Sequence, residues 1–178
     1  MATGPTYRVD YRRKRESKTN YKKRIETLKS GLPRLVIRPS NKHVTVQLVR
    51  YHKDGDKVEV TSHSKDLKKH GWTHNTGNVP ASYLTGFICG LKGRQKKIEE
   101  AIMDLGMNTS VKGSRIYAAL KGALDGGIKV NHDGAVLPSE DRLKGTHIAS
   151  YVKKSKDIAS DLAKIKEKVQ NDYGKQKS

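Results

Sequence analysis

Side chains able to do chemistry are easy to find in this sequence, and most lack the spacing that chemistry requires. Ser139-Glu140-Asp141 with His147 supplies the residue types of a hydrolase triad, but no G-x-S-x-G elbow precedes the serine. A capping or turn role is the expectation. His70 and His74 are four apart with Gly71 and Trp72 between them. Without a Cys pair or an HExxH helix, that spacing does not predict zinc. Cys89 is the sole cysteine, so no internal disulfide can form, and it reads as a small packed residue on a helix. Gly86, Gly90 and Gly93 have neither a dinucleotide fingerprint nor the GK[ST] ending of a phosphate loop. The small residues Ala81, Gly86 and Gly90 are expected to be packing devices that let a helix approach a sheet. Asn108-Thr109-Ser110 matches a glycosylation acceptor but reads better as loop or helix-entry chemistry.

The residues left over are cations. Arg8, Arg12, Arg13, Lys14, Arg15, Lys18, Lys22, Lys23 and Arg24 crowd the first 24 positions, interleaved with Tyr7, Tyr11, Asn20 and Tyr21. Almost no aliphatic residue precedes Ile25, so this arm cannot build a core of its own. Two further groups combine charge with hydrogen-bonding side chains: Arg38-Pro39-Ser40-Asn41-Lys42-His43 and Lys112-Gly113-Ser114-Arg115. Cations bind phosphates, tyrosines stack on unpaired bases, and a glycine lets backbone amides approach a phosphodiester. RNA is the ligand such a set suits.

Composition agrees. Lys and Arg number 37 against 18 Asp and Glu, a formal net charge of +19 over 178 residues. A polyanion is the simplest way to offset that self-repulsion. The length fits one domain plus extensions. No run approaches the roughly 18 apolar residues of a membrane span, and Met1 to Arg24 has nothing like a signal peptide. A soluble, intracellular protein is expected, with no membrane partner and no cofactor.

These groups need elements to hold them. Tyr21, Ile25 and Leu28 share one face of a short helix over 20–30, stopped by Gly31 and Pro33. Arg34–Arg38, Val44–Arg50 and Val58–Thr61 are short, β-branched and separated by turn residues, which predicts a three-strand meander. Val44, Val46 and Leu48 fall on one face of the second strand, and Thr45 and Gln47 on the other. A helical turn is possible within 63–71. Leu84, Phe87, Ile88 and Leu91 predict an amphipathic helix, with Asn78 as cap and Pro80 in its first turn. Ala101–Leu105 reads as a fourth strand. Ile116, Ala119, Leu120, Ala123 and Leu124 mark a second helix ended by Gly126-Gly127. Ser155 opens a last helix striped by Ile158, Leu162, Ile165 and Val169. The divisions are thus 1–31, a basic arm with a short helix; 32–152, an α/β core; and 153–178, a Lys-rich helical extension. Three strands, helix, strand, helix permits a ribonuclease H-like core, which raises a metal-dependent RNA-processing nuclease as the rival reading. That chemistry needs several carboxylates around two metal ions. The first strand instead carries Arg34 and Arg38, and Asp104 is the one acid in the fourth strand as read. No catalytic or metal site is expected.

Several ordered blocks also resemble a known family. They are Tyr7–Arg15, Thr19–Arg24, Pro33–Arg38, Ser40–His43, Thr76–Gly86, Lys112–Leu124 and Leu137–Arg142. Together they resemble the archaeal and eukaryotic type of large-subunit ribosomal protein eighteen, a 5S-rRNA-binding family, from about Tyr7 to Tyr151. The resemblance implies a ribonuclease H-like core without nuclease activity, placed on 5S rRNA in the central protuberance. It also implies contacts with 23S-type rRNA and neighbouring ribosomal proteins. It assigns RNA binding to the arm from Arg8 to Arg24, to Arg38, Asn41, Lys42 and His43, and less directly to Lys112, Ser114 and Arg115.

Overall fold

The computed structural model describes residues 4–152 and 155–174. Lys153, Lys154 and 175–178, which fall in the expected extension, and Met1 to Thr3 lie outside the described residues. Three strands, β1 (Arg34–Pro39), β2 (Val44–Arg50) and β3 (Lys57–His63), form the antiparallel meander that their β-branched runs require. A fourth, β4 (Glu100–Asp104), pairs in parallel with β1, and a two-residue β5 (Lys129–Val130) pairs in parallel with β4. The order across the sheet is β3-β2-β1-β4-β5, a mixed α/β arrangement with β1 at its centre. Parity then decides which side chains meet. Leu35, Ile37, Val44, Val46 and Leu48 enter the core beneath the helices, while Arg34 and Arg38 fall on the opposite face of β1.

The helices are α1 (Arg12–Arg15), α2 (Tyr21–Leu28), α3 (Val79–Gln95), α4 (Arg115–Asp125), α5 (Glu140–Lys144), α6 (Thr146–Tyr151) and α7 (Ile158–Gly174). A 3₁₀ turn at Ser64–His70 closes on Gly71, whose φ of 98° suits glycine. The caps are those the sequence suggests. Asn20 accepts from the Lys23 amide and Asn78 from the Ala81 amide. Each satisfies one otherwise orphaned donor of a helix start.

Two expectations need correction. Helix α3 is not amphipathic: 14 of its 17 residues are buried. It has the sheet beneath it, α4 beside it and α7 above it, so every face meets protein. Gly86 and Gly90 of α3 also approach another helix rather than the sheet. A Cβ on Gly86 would lie 1.9 Å from the Ala119 carbonyl oxygen of α4, and one on Gly90 would lie 2.7 Å from that of Ala123. Gly122 of α4 reciprocates, at 2.0 Å from the Tyr83 carbonyl oxygen. Only glycine permits backbones this close. Above them Ile158, Leu162, Ile165 and Val169 of α7 pack with Leu84, Phe87, Ile88 and Leu91 in a second core. The expected α7 stripe is therefore buried against α3, although the helix starts three residues later than Ser155.

The contact makes a sharp prediction. Gly86→Ala should cost about 3 kcal/mol or more, the upper range for overpacking against unyielding backbone. Gly134→Ala, where nothing lies within 4 Å, should stay within about 0.5 kcal/mol of the parent. Chemical denaturation of both variants measures the difference.

Candidate nucleic-acid interface

On the face of the sheet away from α3, charges of alternating sign run in a ladder. Arg34 is only 3% exposed, and a buried guanidinium needs carboxylates. One terminal nitrogen donates to Asp104 Oδ2 at 2.8 Å, and the other donates to Asp56 Oδ2. Asp104 Oδ1 also accepts from Arg38 at 3.0 Å and from the Gly106 amide at 2.8 Å. Asp56 accepts both its remaining bonds, at 2.8 and 2.9 Å, from Arg24 of α2. The series Arg24, Asp56, Arg34, Asp104, Arg38 thus joins α2, the turn before β3, β1 and β4. Burial alone would raise the pKa of Asp104, but the charge and hydrogen bond of Arg38, the Gly106 amide and Arg34 outweigh it and hold it below the usual carboxylate range. Burial opposes the same outcome at Asp56, where Arg24 and Arg34 prevail.

The ladder accounts for how the arm is held. Helix α2 has no buried residue, and Ile25 is 56% exposed. The expected stripe of Tyr21, Ile25 and Leu28 is therefore not a buried face. Tyr21 instead meets Tyr11 with ring centroids 5.4 Å apart, and Arg13 donates to the Thr19 hydroxyl at 2.9 Å. Polar bonds, not apolar burial, position this segment. Between it and the start of the β4–α4 loop runs a groove of about 530 Å³. Six cations line it, Arg13, Lys18, Lys23, Arg24, Arg34 and Arg38, against the two acids Glu26 and Asp104.

The other assigned residues separate by what their polar atoms already do. Arg8, Arg12, Lys14, Arg15, Lys18, Lys22 and Lys23 are exposed, and Tyr11 is 75% exposed. Their ion pairs, Arg12 with Glu16 at 3.8 Å, Lys14 with Asp10 and Lys18 with Glu16 at 2.8 Å, are of the solvent-screened kind that contributes little. A phosphate can displace them. Ser40 and His43 close the β1–β2 turn through reciprocal backbone and hydroxyl bonds, leaving Asn41 and Lys42 exposed. Arg115 donates to the carbonyls of Ser40 and Gly77, both at 2.9 Å. It pins that turn to the loop before α3. Lys112 is exposed, whereas the Ser114 hydroxyl is buried without a partner at the start of α4. Arg38 lines the groove, and its strand runs directly into the turn.

A sequence profile described as "Ribosomal large subunit proteins 60S L5, and 50S L18" matches residues 5–99 and 91–133. The large ribosomal subunit protein uL18 of Methanoregula boonei is 45% identical over 165 residues, covering 93% of this chain and 95% of that protein. Those of Halobacterium salinarum and Korarchaeum cryptofilum are 50% and 46% identical, over 85% and 90% of this chain and 82% of each relative. The chain belongs to this uL18 family. As a uL18 protein it is a structural constituent of the cytoplasmic large ribosomal subunit and not an enzyme. The uL18 chain's ladder gives that status a chemical counterpart. Glu100 joins Asp104 on β4, one acid more than the sequence reading placed there. Glu100 is nevertheless exposed at the strand's far end, and Asp104 is held by two arginines. Asp66 and Asp161 also find their partners here, Lys69 at 3.1 Å and His74 at 3.1 Å. The triad types stay apart: Ser139 opens α5, and no hydrogen bond joins it to His147 among the described residues.

Sequence reasoning missed Asp56 altogether, because its partners lie 32 and 22 positions away with no pattern linking them. The arginines at both ends of a strand were the usable signal.

Asp104→Asn should lower stability by about 3 kcal/mol, since it leaves two arginines short of a counter-charge. The depressed carboxylates also fix the sign of the acid response. Their contribution is fully present above the unfolded carboxylate pKa of about 4 and is lost as pH falls through the lower folded values. Urea titrations from neutral pH to about pH 3 should therefore show a smaller acid loss in Asp104→Asn than in the parent.

Proposed function

We propose that this chain binds 5S rRNA and helps fix it to 23S-type rRNA in the central protuberance, beside neighbouring ribosomal proteins. One observation carries the reading: an arm of exposed cations, without apolar burial, is coupled by the Arg24–Asp56 bonds to a cationic groove on the sheet. Such a surface gains little from protein packing and much from phosphates. The proposed contacts are Arg8, Tyr11, Arg12, Arg13, Lys14, Arg15, Lys18, Lys22 and Lys23 on the arm, with Asn41, Lys42 and Lys112 on the turn surface. Asn20, Arg24, Arg38, Ser40 and Arg115 act chiefly by holding those groups in place, as their hydrogen bonds suggest.

The core is best read as ribonuclease H-like. An antiparallel meander followed by two parallel strands, in the order β3-β2-β1-β4-β5, supports this. On such a scaffold the ladder puts guanidinium groups where a nuclease would gather metal-binding acids, so the same face attracts a phosphodiester without cleaving it.

Replacing Arg12, Arg13, Lys14 and Arg15 together by Ala should weaken 5S rRNA binding and lower the salt slope by about 3 to 4, close to one counterion term per lost phosphate contact. Filter-binding titrations at several salt concentrations test this. Equal affinity and an equal slope would remove the arm as the principal electrostatic contact. Tyr21→Ala should weaken binding by about 1 to 3 kcal/mol with an unchanged slope if its ring stacks on a base. A lowered melting temperature of the free variant would instead assign Tyr21 to the contact with Tyr11.

A further inference from the structure

Where the β1–β2 turn meets the end of β3, His43 and His63 face each other with ring centroids 5.0 Å apart. Two hydroxyls meet His43 Nδ1: that of Thr76 at 3.0 Å, which also donates to the Lys42 carbonyl, and that of Ser64 at 3.4 Å, which also accepts from the Val44 amide. A hydroxyl can accept from that nitrogen when it carries a proton. His63 is held differently. Its Nδ1 accepts from the Lys65 amide at 3.0 Å, which leaves its hydrogen on Nε2. Neither Nε2 has a hydrogen-bond partner among the described residues.

The pair therefore presents two ring nitrogens, His63 Nε2–H and His43 Nε2, that nothing in the described residues engages. Around it stand Lys42 from the turn and Lys65 and Lys68 from the 3₁₀ segment, none of them in an ion pair among the described residues. The nearby acid of that segment, Asp66, pairs with Lys69. Two imidazoles and three ammonium groups with no carboxylate of their own suit an anion.

We infer that His43, His63, Lys42, Lys65 and Lys68 bind a backbone phosphate of the RNA, and that His43 takes up a proton as the phosphate arrives. The inference rests on the rRNA-binding reading above and adds to it three residues, His63, Lys65 and Lys68, and a proton linkage. His43 is the member placed to change charge, because its Nδ1 meets hydroxyls that can accept, whereas His63 Nδ1 already accepts from the Lys65 amide. In the free protein, burial, the facing His63 ring and the charges of Lys65, Lys68 and Lys42 keep the His43 pKa below its ordinary value. A bound phosphate opposes those charges and raises it. The proton passes from solvent to the ring, no bond to phosphorus forms or breaks, and affinity rises as pH falls.

The full chain titrated with 5S rRNA provides the test. If binding raises the pKa by about one unit, affinity should be up to about tenfold higher near pH 6 than near pH 8 at constant ionic strength. Calorimetry in two buffers of different ionisation enthalpy should count a fractional proton taken up near neutral pH. His43→Gln should lose that uptake, whereas His63→Gln should bind more weakly and keep it. Equal affinity at both pH values, or the same uptake in His43→Gln, overturns the inference. Failure to bind 5S rRNA at any pH would overturn the functional reading instead. The site is then decided by inorganic phosphate titrated into the free chain and followed by imidazole NMR. A rise in the His43 pKa supports the site, and no rise overturns it.

Discussion

A guanidinium at the centre of the sheet must be neutralised, and Arg34 sets that demand. It is nearly inaccessible to water, so its two terminal nitrogens need anions from within the fold. Asp104 and Asp56 answer it, and each carboxylate then requires a second cation, Arg38 and Arg24. No member can be removed without leaving a neighbour uncompensated. Buried ion pairs return little net stability for the desolvation they incur, but breaking one is costly. Their use here is geometric: the ladder aligns β1 with β4 and sets α2 above them, which decides where the basic arm begins.

How far the sequence could be read follows from the range of each interaction. Asn20, Asn78 and Gly126-Gly127 act within a few residues of themselves, so the helix ends they mark are legible. The meander is equally so, since its strands alternate over short spans. What failed depended on neighbours. The pattern of α3 shows apolar residues but not that three layers surround it. Ile25 sits at helical spacing, yet nothing in that spacing shows that its face meets solvent. The two-residue β5 is too short to leave a period, and Asp56 belongs to a turn until its arginines are placed. Of the assigned surface, the exposed cations were evident from charge. That Arg24 and Arg115 already serve intramolecular carbonyls and carboxylates was not.

The helical side supplies the rigidity that the arm lacks. Backbone contact at Gly86, Gly90 and Gly122 locks α3 to α4, and α7 covers the remaining face of α3 through its apolar stripe. The terminal helix is further fixed by polar contacts of His74 with Asp161 and of Lys166 with the Tyr83 hydroxyl. Tyr83 itself donates to Asp125 of α4. A firm block thus backs a sheet whose other face is polar and cationic, a suitable division for a protein that must hold its shape against a large polyanion.

The central position of β1 has a consequence for biosynthesis. Its antiparallel neighbour β2 follows within a few residues, but its parallel neighbour β4 is translated about sixty residues later. While the chain emerges from N-terminus to C-terminus, the meander can form early with one side of β1 unpaired and Arg34 still without Asp104. An open strand edge is a template for unwanted pairing, and here it stays open until α3 and β4 have been made. The nascent chain therefore passes through an interval in which its most buried strand is its most vulnerable one, and the arrival of Asp104 closes the edge and completes the neutralisation of Arg34 together.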